Sequence, residues 1–247
     1  MNNNLIFQLE CGPINDRRIL NMELPVNYIS GRSILVSYTG GVDSAFLLYL
    51  LAKLNDTQRI PYIIQPVVIN NRLGSADDSN NKYSCPITES IARIPNTIRY
   101  FQKTFTNSQI QNCIRSTADP TKPHSIQIRT CVKSVYNNGK YYLIYSGVNE
   151  NPTSDECSGG AVRPDVDSFD QKKSHPWRLP FINLKKTHIM DAIIQMNAFE
   201  ILELCTKCTH HTSLDDTCEA FNCRERWWAL NTLDRSDLIV KYFLNEN

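Results

Sequence analysis

The sequence has almost no net charge and no long basic tract. Lys and Arg number 26 against 25 Asp and Glu, a formal net charge of +1. This balance disfavours, without excluding, a nucleic-acid partner bound mainly through its phosphate backbone. No apolar run approaches the roughly 20 residues that span a bilayer. The start, Met1 to Asn4, lacks the basic and apolar segments of a signal peptide. These absences predict a cytoplasmic protein with no membrane partner.

Two common nucleotide-binding signatures are also missing. No Gly-Lys-Ser/Thr follows the glycines of a Walker-A loop, and there is no G-x-G-x-x-G fingerprint. Buried strands nevertheless alternate with amphipathic helices, which predicts a parallel sheet. We expect strands at about 5–9, 34–37, 62–70, 109–114 and 141–146, and helices at about 43–54, 86–102, 125–138, 184–196 and 223–244. Pro66 should limit the second main strand to Val67 onward, Pro95 should break or kink its helix, and Asn183 should cap the fourth helix.

A glycine loop follows the first buried strand and opens a helix. It reads Ser37, Tyr38, Thr39, Gly40, Gly41, Val42, Asp43, Ser44. Glycine lets the backbone approach a phosphate, and the amides of a helix N-terminus favour an anion. Asp43 would repel a bare phosphate, which suggests either helix capping or Mg²⁺ between this carboxylate and a nucleotide. The alternative is a plain strand-to-helix turn.

Nine cysteines in a chain without an export signal argue against a disulfide framework. Four of them fall close together: Cys205, Cys208, Cys218 and Cys223. Four thiolates suit a closed, structural Zn²⁺ site, and the C-x2-C spacing lets one turn present two sulfurs. The alternative is four free thiols, some of them buried as small hydrophobic groups.

The segment Thr39–Ser44 resembles the Ser-Gly-Gly-x-Asp-Ser signature of the PP-loop ATP pyrophosphatase superfamily, with Thr in place of the first Ser. Together with the late cysteines, it resembles one family in particular, 7-cyano-7-deazaguanine synthase. Further segments carry that resemblance: Gly147-Val148-Asn149, Ser158 to Asp165, Leu179-Pro180-Phe181, Lys186 to Ile189, and Cys223-x2-Arg226-x2-Ala229-Leu230. The cysteine spacings, x9 and x4 after Cys208, differ from that family's.

The resemblance implies a doubly wound, Rossmann-like α/β domain of the adenine-nucleotide alpha-hydrolase type over 1–200, with a small helical zinc-binding region at 201–247 packed on it. It implies an ATP-dependent C–N ligase that joins ammonia to a deazapurine carboxylate and forms a nitrile. ATP and Mg²⁺ would bind at residues 37–44, and Zn²⁺ at the four cysteines. Asp43, Ser44 and Lys186 are the implied catalytic residues. Substrate would meet Gly147, Asn149, Glu150, Arg163 and Asp165.

Several alternatives remain open. Lys186 could be an exposed helix lysine, and each substrate-pocket residue could be an ordinary loop or surface residue. The enzyme could be another member of the superfamily, such as an ATP-dependent thiolase acting on tRNA or a carrier, with Cys205 and Cys208 as reactive thiols. It could also be a scaffold that binds ATP without turnover. The oligomeric state is open, with a homodimer as one candidate.

Overall fold

The described part of the chain folds around one parallel β-sheet. The structure is a computed structural model that describes residues 3–69, 87–117, 124–157, 176–205 and 221–244. The strands are β1 (Asn4–Cys11), β2 (Arg18–Pro25), β3 (Ser33–Ser37), β4 (Ile63–Ile69), β5 (Gln109–Ile110), β6 (Ile114–Ser116), β7 (Tyr141–Ser146) and β8 (Trp177–Arg178). The helices are α1 (Val42–Asp56), α2 (Ile87–Thr104), α3 (His124–Asn138), α4 (Lys186–Gln195), α5 (Glu200–Leu204), α6 (Phe221–Thr232) and α7 (Ser236–Ile239), followed by a π-helical turn, Val240–Leu244.

The central sheet has the strand order β5-β4-β3-β7-β8, and β6 also pairs with β4. Every pair in it is parallel. The chain proceeds outward from β3 through β4 to β5, then returns to the other side of β3 as β7 and continues to β8. The predicted parallel α/β class is therefore confirmed.

Successive side chains of β3 point into two separate apolar layers, because side chains alternate along a strand. Ile34 and Val36 join the large core that contains α1, the described part of α2, and α4. Leu35 lies on the opposite face, in a smaller cluster with Val67, Ile144 and the α3 residue Val132. The sheet is thus covered by helices on both faces, as a doubly wound fold requires.

An antiparallel hairpin, β1 with β2, lies outside this sheet. Leu20, Met22 and Leu24 of β2 are fully buried in the large core, while β1 is half-buried along most of its length. The Tyr145 hydroxyl of β7 donates to the Glu23 carbonyl at 2.7 Å and so ties the hairpin to the central sheet. Sequence patterning located the first strand but not its partner.

The strand predictions around Pro66 and residues 109–114 are wrong in detail. Strand β4 pairs with β3 along Ile63–Val67, so its ladder begins well before Val67. Pro66 is tolerated because the strand on its other side is broken there into β5 and β6, with 111–113 between them. The Gln65 side chain bridges that break by donating to the carbonyls of Pro66 and Asn112. The same break divides the single strand predicted at 109–114.

Three helix predictions also need correction. Helix α2 runs through the exposed Pro95, so the predicted break at that residue is wrong. Helix α4 is capped by Lys185 rather than by Asn183, since Lys185 is extended, with φ −79° and ψ 169°, and the helix begins at Lys186. The predicted helix 223–244 is divided after Thr232, where Asp234 adopts a φ of +54°. None of the helices in the described ranges is long and apolar enough to span a membrane.

Candidate nucleotide-binding site

The glycine loop follows β3, the strand at which the order of strands in the sheet changes direction. Strand β3 is followed by a crossover to β4 on one side, and its other neighbour, β7, leads on to β8. In open parallel sheets, ligands bind in a crevice at the carboxyl edge of such a reversal point. Residues 37–44 and Gly147 to Glu150 border this crevice, because they follow directly after these two strands.

The backbone of the loop has the form that an anion site needs. Gly40 has a φ of +82°, a conformation that glycine adopts without strain. Gly41 is extended and forms the N-cap of α1, and the Ala45 amide makes the first helical bond to the Gly41 carbonyl at 3.0 Å. The amides of the first helical turn have no partner within the helix. They are available to a phosphate.

Hydroxyl groups hold the loop in this shape. The Ser44 hydroxyl donates to the Gly41 carbonyl at 3.0 Å and accepts from the Thr39 amide at 3.2 Å. The Thr39 hydroxyl lies 3.2 Å from the same Ser44 oxygen. Ser44 and Ser37 are buried, whereas Thr39 is exposed. The Thr39 hydroxyl therefore contacts the loop although the residue is exposed.

Lys186, in the first turn of α4, contacts this loop through Asp43. Its ammonium donates to both carboxylate oxygens of Asp43, at 2.5 Å for Oδ1. Lys186 is 4% exposed, so the alternative of a solvated helix lysine is wrong. The Asp43 side chain keeps 22% of its surface exposed. The site thus presents a partly open carboxylate backed by a buried cation.

A second carboxylate lies behind the same ammonium. Glu225 Oε2 in α6 is 3.4 Å from Lys186 Nζ, and the Glu225 side chain is fully buried. Neither of its oxygens has a hydrogen-bond partner within the described residues. Sequence reasoning missed Glu225, because a glutamate between two arginines in a helix reads as a solvated charge.

The start of α4, which positions Lys186, is fixed by a buried histidine. The Lys185 amide donates to His188 Nδ1 at 3.1 Å, and His188 Nε2 lies 2.8 Å from the Asp16 carbonyl. These two contacts assign the neutral tautomer with the proton on Nε2. Burial lowers the pKa of His188, and the Arg18 guanidinium lowers it further, which agrees with that assignment.

Three of the five predicted substrate-pocket residues lie in the described part of the structure. Gly147 lies against the loop, and Asn149 is fully buried. The Glu150 carboxylate accepts a hydrogen bond from the Arg18 guanidinium in β2 at 2.6 Å, so its charge is paired with that arginine. Arg163 and Asp165 lie outside the described residues, as do the surrounding residues 158–175. Their predicted role stays a prediction.

The predicted zinc ligands are only half described. Cys205 ends α5, Cys223 lies in the first turn of α6, and both are fully buried in the large core. Cys208 and Cys218 lie outside the described residues. Among the residues that are described, no group of three or more His, Cys, Asp or Glu side chains could hold a metal. Burial raises the pKa of the Cys205 thiol, and the nearby Arg226 and Lys186 oppose that effect.

Comparison with known proteins adds little. A scan against protein families finds no match, and a search of curated proteins finds none. Among solved structures, the chain is similar to the U34-tRNA thiolase NcsA from Methanococcus maripaludis with its 4Fe-4S cluster, with a TM-score of 0.45 and 14% identity. The match covers 86% of this chain but 66% of the thiolase. A likeness this distant carries no argument about chemistry.

Proposed function

We propose that the protein is an ATP-dependent enzyme that binds the phosphates of ATP at Thr39–Ser44 and splits ATP between its α and β phosphates. The observation that carries this proposal is the glycine loop with its buried lysine at the reversal point of a parallel sheet. Ligands of such sheets bind in the crevice at that point. Here the crevice offers free helix amides, a positive-φ glycine and the Lys186 ammonium, all of which suit a polyphosphate.

The donor set also fits Mg²⁺. Asp43 supplies a hard, partly exposed carboxylate at the mouth of the loop, and Mg²⁺ prefers oxygen ligands and is usually held by one or two carboxylates plus phosphate. When bound, the ion would neutralise charge on the phosphates. Lys186 would hold negative charge from the other side, and the loop amides would orient the leaving pyrophosphate.

The finer proposal concerns the acceptor, and it rests on the motif resemblance. A 7-carboxy-7-deazaguanine carboxylate attacks the α-phosphorus, the P–O bond to the β-phosphate breaks, and pyrophosphate leaves. Ammonia then attacks the acyl carbon, loses a proton and displaces AMP to give the amide. The amide oxygen attacks a second ATP in the same way. Loss of AMP and of the two nitrogen protons leaves the nitrile.

Asn149 is proposed to shape the acceptor pocket, because this buried amide lies three residues after β7, near the reversal point of the sheet. Arg163 is the proposed partner of the substrate carboxylate, since its guanidinium can bind both oxygens at once. The four cysteines are proposed to hold a structural Zn²⁺. We propose that substrate and ammonia are the partners of the site, and that the protein acts in the cytoplasm.

The thiolase alternative needs an accessible, reactive thiolate. Cys205 is fully buried and so does not offer an accessible thiol, whereas Cys208 lies outside the described residues. A scaffold that binds ATP without turnover could use the same Asp43–Lys186 contact, so the measurement of pyrophosphate release separates it from the enzyme.

The test is to incubate the protein with ATP, Mg²⁺, ammonium and 7-carboxy-7-deazaguanine, and to follow amide, nitrile and pyrophosphate by mass. Asp43→Ala and Ser44→Ala should each reduce turnover by at least a hundredfold, since each removes part of the phosphate-positioning loop. Asp237→Asn, at an exposed ion pair with Arg235, is the matched control. Pyrophosphate release with another acid but no amide would retain the ATP chemistry and overturn the acceptor. No release with any acid would overturn both.

A further inference from the structure

Lys186 stands between two carboxylates that differ in their access to solvent. The outer one, Asp43, is partly exposed and receives hydrogen bonds from the ammonium. The inner one, Glu225, is fully buried and lies 3.4 Å from the same nitrogen. One cation therefore serves two anions, and only the outer anion can be reached from the crevice.

Glu225 is poorly satisfied in this arrangement. A buried carboxylate is costly unless charge and hydrogen bonds compensate it. Its two oxygens have no hydrogen-bond partner in the described parts of the chain, and the Lys186 contact is an ion pair with no hydrogen bond. Burial raises the pKa of the nearby Cys157 thiol, and the negative charge of Glu225 raises that pKa further. The inner carboxylate can thus accept a closer approach of the ammonium.

We propose that Glu225 is a positioning residue that receives the Lys186 ammonium when Asp43 exchanges it for Mg²⁺, an inference that rests on the proposed function. The ammonium repels Mg²⁺ and competes with it for the two oxygens of Asp43, so Asp43 binds the ion better once Lys186 moves away. Without Glu225, releasing Lys186 would leave a buried cation unpaired. With Glu225, the ammonium turns to an anion already beside it and stays near the phosphates.

This role predicts a change in magnesium demand, and it can be measured without turnover. The probe is α,β-methylene-ATP, which cannot be split between its α and β phosphates, titrated with Mg²⁺ at a fixed concentration. Glu225→Gln should raise the Mg²⁺ concentration for half-maximal binding about tenfold, a size typical of coupling between neighbouring contacts. Glu225→Asp should restore much of the loss. Glu203→Gln removes the same charge from an exposed position of α5 and should change nothing.

A thermal-stability cycle tests the ion pair itself. Lys186→Met leaves Glu225 buried without this cation and should lower Tm by roughly 10 °C. The double variant Lys186→Met/Glu225→Gln should recover at least half of that loss, because it removes the stranded charge as well. A double variant as unstable as the sum of its parts would overturn the pairing.

The outcomes separate the two proposals. If the wild-type protein binds no α,β-methylene-ATP, the proposed function fails, and the positioning role fails with it. If it binds the analogue and Glu225→Gln shows the wild-type Mg²⁺ dependence, the positioning role alone is wrong. A shift in Glu225→Gln without rescue by Glu225→Asp would also overturn it, since general damage to α6 would then explain the loss.

Discussion

Gly147, at the end of β7, lies directly against the backbone of Asp43 in the glycine loop. A Cβ at position 147 would stand 3.1 Å from the carbonyl carbon and oxygen of Asp43 and 3.3 Å from the Ser44 amide. The neighbours are backbone atoms, which cannot rotate away as a side chain can. The close approach of these two loops therefore favours glycine at 147, since any Cβ there would require the Asp43 backbone to shift by a few tenths of an ångström.

Gly147→Ala should consequently damage both folding and nucleotide binding. The added methyl must push the loop away, and overpacking of this kind costs about 1–3 kcal/mol. We expect a lower Tm and at least tenfold weaker binding of α,β-methylene-ATP. Differential scanning calorimetry and isothermal titration provide the two measurements.

Gly41→Ala is the matched comparison within the same loop. Its Cβ would meet only the Thr39 hydroxyl at 3.6 Å, an ordinary contact, and its φ is −79°. The change should cost at most about 1 kcal/mol through weaker helix capping. The added methyl would nevertheless lie at the proposed phosphate position, so we expect the binding of α,β-methylene-ATP to be lost. Unchanged nucleotide affinity in Gly41→Ala would show that phosphate does not approach this residue.

Asn55 offers a prediction about stability alone. This fully buried amide donates to the Tyr62 carbonyl at 2.9 Å and to Ser108 at 3.0 Å, and accepts from the Tyr62 amide at 2.8 Å. It thereby joins the end of α1 to the start of β4. Asn55→Ala leaves buried backbone groups unsatisfied and should lower the free energy of unfolding by about 2–4 kcal/mol. Thr57→Ala, at an exposed hydroxyl that contacts only the Leu54 carbonyl, should cost less than about 1 kcal/mol in the same urea titration.

The sequence made the central fold predictable where signals were local and strong. The apolar runs of β3 and β7, and the glycines between β3 and α1, were sufficient to predict a parallel sheet and an anion loop. The hairpin partner β2 was not predicted, although Leu20, Met22 and Leu24 alternate with polar residues as in a half-buried strand, and Gly12 and Pro13 mark a turn before it. Its burial depends on tertiary contacts with α1 and α4, which no local pattern reveals.

The candidate site was predictable only in part for the same reason. Lys186 could be singled out through a motif, but its burial follows from the packing of α4 onto α6. Glu225 carried no signal, since a helical Arg-Glu-Arg segment is ordinary on a surface. The engagement of Glu150 by Arg18 also joins residues 132 positions apart. Such contacts depend on which elements the fold brings together, and local sequence patterns do not predict them.

Stability should depend on pH through His188. The folded protein lowers the pKa of this buried imidazole, whereas the unfolded chain should have the ordinary value of about 6.5. As pH falls, the unfolded state therefore takes up the proton first. The contribution of His188 is fully present above about pH 7.5 and is lost as pH falls through 6.5 toward the folded pKa.

His188→Gln should separate this effect from the rest of the protein. It should be less stable than wild type at pH 8, because the contacts to the Lys185 amide and the Asp16 carbonyl are disturbed. Its Tm should decline less steeply between pH 7.5 and 5. The measurement is Tm in matched buffers of constant ionic strength. Parallel curves for the two proteins would show that His188 does not titrate in this range.

The four late cysteines are predicted to bind zinc. If Cys205, Cys208, Cys218 and Cys223 bind one Zn²⁺, the purified chain should contain one zinc per molecule by elemental analysis. A strong chelator should lower Tm, since the metal would join the end of α5 to the start of α6. Removing a structural zinc ligand commonly costs several kcal/mol, so Cys223→Ser should unfold at a markedly lower temperature.

Cys131→Ser is the control for this experiment, because it removes a buried thiol from α3 on the opposite face of the sheet. It should retain full zinc content with a loss of only about 1–2 kcal/mol. Equal destabilisation of both variants with no zinc in the wild type would mean that Cys205 and Cys223 serve as small core residues. Their complete burial permits that role, so metal analysis decides between packing and coordination.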